Sequence, residues 1–148
     1  MILSTKLKVM IQKLKIGSRS FIDIKKDNDI VNYEQWVDFI ERHRDYFTWF
    51  EETEQGISVK KNLDRFSEGT KKVLLYRLSK TTAYSTTKIV KDLFDFIIHY
   101  GKNKYISVHL KKKITLKIAA LLLEMAKYLG ARVIIDEKKE LICLEQLK

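Results

Sequence analysis

The stretch TLKIAALLLEMAKYLG, residues 115–130, constrains the fold more than any other part of the chain. Leu116, Ile118, Ala119, Leu122, Leu123, Ala126 and Leu129 recur at helical spacing and cover most of the circumference. A helix apolar over so much of its surface has to lie inside a domain, against another layer. Gly130 stands where such a helix stops. Directly after it, ARVIIDEKKELICL reads as two strands around a charged turn, and upstream LFDFIIHYGKNKYISVHL reads as two strands around GKNK. A buried helix flanked by two strand pairs points to an α+β domain.

The first half is read the same way. SFIDIKK alternates Phe21, Asp23 and Lys25 against Ile22, Ile24 and Lys26, which suits a short strand. Asn32 suits an N-cap with Gln35 three residues on, and YEQWVDFIERHRDYF then sets Trp36, Val37, Ile40 and Phe47 on one helical face. Residues 47–61 read as extended, in the manner of a hairpin. SEGTKKVLLYRL reads as a short helix capped by Thr70, and TTAYSTTK as a loop. At the start of the chain Leu3, Leu7, Met10, Ile11 and Leu14, with lysines between them, read as a basic amphipathic helix over residues 1–17, peripheral to the domain. Leu7, Val9 and Ile11 also alternate as a strand would. The expected fold is one α+β domain over residues 1–148, with an antiparallel or mixed sheet of about five strands and two to three packed helices.

Composition narrows the function classes. With 148 residues, 45% apolar and 32% charged, the chain is neither disordered nor membranous by composition. No apolar run approaches the roughly 20 residues of a membrane span. Lys6, Lys8, Lys13 and Lys15 interrupt the N-terminal apolar residues, unlike a secretory signal. Cys143 is the single cysteine, so no internal disulfide forms, and a cytoplasmic protein is expected. The net charge of +10 is uneven: +6 over residues 1–26, −6 over 27–70, +10 over 71–117 and zero thereafter. Such a chain presents positive and negative faces rather than a uniform basic coat. A biased genome composition also produces lysine-rich, proline-free chains of this kind.

No residue pattern points to a reaction, a cofactor or a metal. On a hairpin with an even turn, His99 and His109 face opposite sides of the sheet, and only an odd loop or a bulge brings them together. His43, among arginines, reads as a solvated cation. Cys143 in LICL reads as a buried structural cysteine. There is no nucleophile elbow or glycine-rich phosphate loop, and the carboxylates of EETE read as exposed, where their acidities would not separate. The expected protein is not an enzyme.

Two segments read as binding surfaces. FTWFEETEQG offers Trp49 and Phe50 beside Glu51, Glu52 and Glu54, aromatic and charged residues of the kind that anchor interfaces. In the alternative, Phe47, Trp49 and Phe50 pack beneath the sheet and the glutamates are only solvated. The other segment is basic: Lys111, Lys112 and Lys113 precede a helix N-terminus, and Lys102 and Lys104 share a hairpin tip with Tyr100 and Tyr105. This would suit nucleic acid, although no recognised nucleic-acid module is present.

SFIDIKKDNDIVNYEQWVDFIE, with its Tyr33-Glu34-x-Trp36 helix start, resembles the opening of a group of small bacterial proteins from toxin–immunity loci. YISVHLKKKITLKIAALLLEMAKYLGARVIIDEKKELI, through Leu129, Gly130, Ala131, Arg132, Val133, Asp136 and Glu137, resembles their ending. The N-terminal segment and residues 62–92 have no counterpart there, and the group's glycine-bearing acidic turn is DEKK here. The resemblance implies a cytoplasmic protein that binds and neutralises a cognate protein toxin. The sequence is therefore read as a non-enzymatic, intracellular protein-binding module of immunity type, with a basic nucleic-acid-binding protein as the alternative.

Overall fold

The computed structural model describes residues 12–91 and 93–148. Most of the helix expected over 1–17 lies outside these residues. Its last part, from residue 12, is not helical: Leu14 N–H donates to the Gln146 carbonyl (2.8 Å), the Ile16 carbonyl accepts from Ile114 N–H (3.0 Å), and both side chains are buried.

Seven strands form one antiparallel sheet in the order β2-β3-β6-β7-β1-β8-β9. They are β1 (Ile22–Lys25), β2 (Phe47–Trp49), β3 (Thr82–Ser85), β6 (Phe96–Tyr100), β7 (Ile106–Leu110), β8 (Arg132–Ile135) and β9 (Lys139–Leu141). A separate two-stranded ribbon joins β4 (Lys88–Val90) to β5 (Leu93–Phe94). Among the described residues there are four α-helices: α1 (Tyr33–Arg42), α2 (Glu54–Lys61), α3 (Glu68–Arg77) and α4 (Leu116–Leu129). The domain is α+β with an antiparallel sheet, as expected, but with more strands and helices.

One face of the sheet carries the core. Ile22, Ile24, Ile98, Ile106, Val108, Val133 and Ile135 point into it, and α1 and α4 cover it with Trp36, Phe39, Ile40, Leu122, Met125 and Leu129. The cap geometry explains both helices. Asn32 Oδ1 accepts from Gln35 N–H (2.9 Å) at the start of α1, and Thr115 Oγ1 accepts from Ile118 N–H (3.1 Å) at the start of α4. Gly130, at φ 66°, closes α4 in the left-handed conformation that glycine adopts without strain.

Five expectations are corrected. Helix α1 ends at Arg42 rather than running to Phe47, because His43 satisfies its end: the ring Nδ1–H donates to the Phe39 carbonyl (2.7 Å) and Nε2 meets Glu124 Oε1 of α4 (3.2 Å). His43 is thus a half-buried cap rather than a solvated side chain. Residues 47–61 are not a hairpin. After β2 comes a 3-10 turn, Phe50–Glu52, and then α2, whose first turn is capped by Thr53 Oγ1 accepting from Gly56 N–H (3.0 Å). Helix α3 is capped by Ser67, not Thr70. The segment read as a loop at 81–88 contains β3, a fully buried strand next to the sheet edge. Its polar side chains are paired: Thr82 Oγ1 with His99 Nδ1 (3.1 Å), and Ser85 Oγ with the Thr87 carbonyl (2.8 Å).

Candidate functional site

The acidic aromatic segment turns its aromatics inward. Trp49 joins the main core and donates from Nε1 to Glu41 Oε1 (2.9 Å), an interaction that holds the Glu41 carboxyl below its ordinary range. Phe50 is buried on the other face of the sheet, stacked on Tyr84 with the Arg77 guanidinium over its ring (4.4 Å). As docking anchors Trp49 and Phe50 are out of reach. The glutamates have local work: Glu51 Oε2 accepts from Lys80 N–H (3.0 Å), and Glu52 Oε1 accepts from Trp49 N–H (3.1 Å) and from Arg44. Glu54 is exposed in the first turn of α2.

The lysines do not form one surface. Lys102 and Lys104 sit in the loop between β6 and β7, whereas Lys111, Lys112 and Lys113 follow the far end of β7. The two groups therefore stand at opposite ends of one strand, and Lys112 is drawn to Asp95 Oδ2 (3.4 Å). Tyr105 has left the tip as well, lying against the core with Lys25 over its ring (5.4 Å).

The second face of the sheet is only partly covered and carries a polar row that the sequence reading separated. Tyr100 pairs with Ile106 across a five-residue loop, an odd number, so His99 and His109 share this face with ring centroids 5.2 Å apart. Ser107, opposite His99, donates to Asp23 Oδ1 (3.2 Å). A serine that donates to a carboxylate and not to a histidine is a cross-strand brace. Among the described residues no group of three or more His, Cys, Asp or Glu is placed to hold a metal ion, and no helix is long and apolar enough to cross a membrane.

Burial, with His109, Arg77 and Lys111 adding positive charge, pushes His99 down to about 4 from an ordinary 6.5. The native ring therefore resists a proton that the unfolded chain accepts. Stability is complete above pH 6.5, falls as pH drops from 6.5 towards 4, and levels off below, by roughly 1–2 kcal/mol after allowance for the partly solvated ring. His109 is lowered as well, chiefly by burial, so it contributes in the same direction. Urea unfolding at pH 7 and pH 5 checks this: His99→Gln should flatten the difference, and an unchanged slope would contradict the assignment.

The hairpin loop, the start of α1 and the end of α3 border an open cleft of about 530 Å³ that the sequence did not reveal. Tyr100 forms its buried floor, Tyr33 and Tyr76 its walls, and Lys102 and Lys104 its mouth. The loop is fixed in place: Gly101 N–H donates to the Tyr105 carbonyl (3.0 Å), and the Lys104 carbonyl accepts from Val31 N–H (2.8 Å). Tyr100, Lys102 and Lys104 were visible as a basic aromatic tip. Nothing local announces Tyr76, whose helix shows no burial pattern.

Most residues on which the expected family resemblance rests have structural roles. Trp36 is core, Gly130 stops α4, and Arg132 Nη1 donates to both Asp27 oxygens (2.8 Å each) while its neighbouring nitrogens bond Glu140. Asp136 Oδ1 accepts from Phe21 N–H (2.9 Å), tying the last hairpin to β1. Comparisons of the chain with family models, curated proteins and solved structures give no match.

Proposed function

We propose that this chain is a non-enzymatic protein-binding module of immunity type, which binds and neutralises a cognate bacterial toxin. The toxin component of this reading comes from the resemblance of residues 20–41 and 105–142. The binding component is carried by one observation: the middle of the chain displays its apolar side chains instead of burying them. Helix α3 has no buried residue, with Val73 54% and Leu75 45% exposed, and α2 and the turn after it add Ile57 and Phe66. The β4–β5 ribbon exposes Ile89, Val90 and Leu93. Half of the large exposed apolar side chains among the described residues thus fall between positions 57 and 93. Apolar side chains left exposed along one stretch of chain support an interaction surface there. The interface is therefore assigned to α2, α3 and the ribbon, in place of Trp49 and Phe50.

Capture of the tagged protein from its native lysate, with nuclease treatment and a moderate-salt wash, tests the reading. One stoichiometric protein should survive both steps. Val73→Asp with Val90→Asp should weaken its retention by about tenfold or more, the scale of a lost hot spot. The melting temperature should barely move, since substitutions at exposed sites usually change stability by within about 0.5 kcal/mol. Loss of all bound material on nuclease treatment would refute the proposal, as would retention indifferent to the two aspartates.

A further inference from the structure

The cleft at the hairpin tip has the makings of a ligand site that does not depend on the protein-binding reading. Its volume of about 530 Å³ falls within the range typical of small-molecule sites. Three phenol rings define it, and each is locked by its own hydroxyl: Tyr33 donates to the Ser79 carbonyl (2.6 Å), Tyr76 to the Tyr100 carbonyl (2.8 Å) and Tyr100 to the Val31 carbonyl (2.7 Å). The rings therefore cannot swing away, and with their protons committed they offer a guest mainly aromatic surface. Tyr33 also meets the Tyr100 ring edge-on, with centroids 5.4 Å apart. Such an arrangement is fixed before any guest arrives, which spares the cost of ordering it.

The charge at the mouth is one-signed. Lys102 and Lys104 are exposed, Lys102 Nζ stands 5.6 Å from the Tyr76 ring centroid, and no described carboxylate lines the cleft. Burial raises the pKa of Tyr33, Tyr76 and Tyr100 above the ordinary phenol value, so all three stay neutral and do not offset the lysines. Flat aromatic walls under a pair of cations suit a guest that is planar and aromatic at one end and anionic at the other. Bases stack on tyrosine irrespective of sequence, and lysines meet phosphate as point charges.

We propose that this cleft binds a nucleotide, its base against Tyr33 and Tyr76 and its phosphate between Lys102 and Lys104. The guest could be a free mononucleotide or the end of a single strand, which share this chemistry. The Ser79 and Thr81 hydroxyls that also line the cleft are committed to the Leu75 and Tyr76 carbonyls, so discrimination between bases should be weak, with purines favoured over pyrimidines by their larger stacking surface.

Titrations of the intact protein followed by two-dimensional NMR, with AMP, adenosine, ribose 5-phosphate and a four-nucleotide oligoadenylate, decide the matter. AMP should shift the amide signals of residues 30–33, 76–81 and 100–104 saturably. Adenosine and ribose 5-phosphate should each bind at least about tenfold more weakly, the scale of one lost stack or one lost phosphate contact. The exposed double variant Lys102→Glu, Lys104→Glu should lose AMP binding by about tenfold or more while keeping the native spectrum elsewhere. Tyr33→Leu should weaken AMP and leave ribose 5-phosphate unchanged. An oligonucleotide about tenfold tighter than AMP assigns the guest to a strand end, and equal affinity assigns it to the free nucleotide. Ribose 5-phosphate as tight as AMP, AMP binding indifferent to the lysines, or no saturation by about 10 mM AMP would each overturn the proposal.

Discussion

Trp36→Ala is expected to lower the unfolding free energy by about 4 kcal/mol, which would leave a domain of ordinary stability close to unfolding. The side chain is fully buried where α1 meets the sheet, edge-on to Trp49 (6.0 Å) and tilted against Tyr100 (6.3 Å). Removing it opens a cavity bounded by two large rings that cannot collapse into it. A second loss accompanies the first, because Trp36 Nε1 donates to the Lys80 carbonyl (2.9 Å). Lys80 is held in the left-handed region (φ 57°) just before β3, with its own N–H on Glu51. Orphaning that carbonyl frees the approach to a strand next to the sheet edge. Trp36→Phe separates the two terms: it keeps most of the volume but not the donor, and should cost about 1–2 kcal/mol. Urea unfolding followed by circular dichroism measures both, with the midpoint shifting and the slope unchanged. A loss below about 2 kcal/mol for the alanine variant would mean that Trp36 is not enclosed as described.

What the sequence reveals about this fold depends on where each segment finds its partners. Helix α4 and the strands of the hairpins around residues 101 and 136 are legible because their apolar period is complete within the segment. Strand β3 is not, since TAYS looks like a turn until His99 and Phe96 are there to satisfy its hydroxyls. Helix α2 resists reading for a different reason: its apolar residues serve no internal core, so the periodicity that marks a helix is absent and only the cap Thr53 signals it, whereas α3 reads as a helix with its cap misplaced from Ser67 to Thr70. The site suffers most. The parity of one loop, five residues rather than four, decides whether His99 and His109 meet. The cleft draws Tyr33, Tyr76 and Tyr100 from three elements that no local pattern connects.

Gly56→Ala should destabilise the protein by about 3 kcal/mol even though the change improves helix propensity. Alanine in a helix is ordinarily better than glycine by about 1 kcal/mol, and that gain is the expected result at Gly69 in the first turn of α3, where an added Cβ meets nothing within 4 Å. At Gly56 the same Cβ would fall 1.8 Å from the Phe50 carbonyl oxygen and 2.7 Å from its carbon. Both atoms are backbone, so no rotamer change relieves the overlap and α2 has to lift off the 3-10 turn. Lifting it strains the Thr53 cap and disturbs Phe50, whose ring meets both Tyr84 and Arg77. Thermal melts of the two variants should therefore move in opposite directions from the same chemical change. Equal shifts would show that α2 does not rest on Phe50. Because that contact also fixes the side on which Ile57 is displayed, Gly56→Ala should weaken partner capture along with stability, whereas Gly69→Ala should raise the melting temperature and leave capture intact.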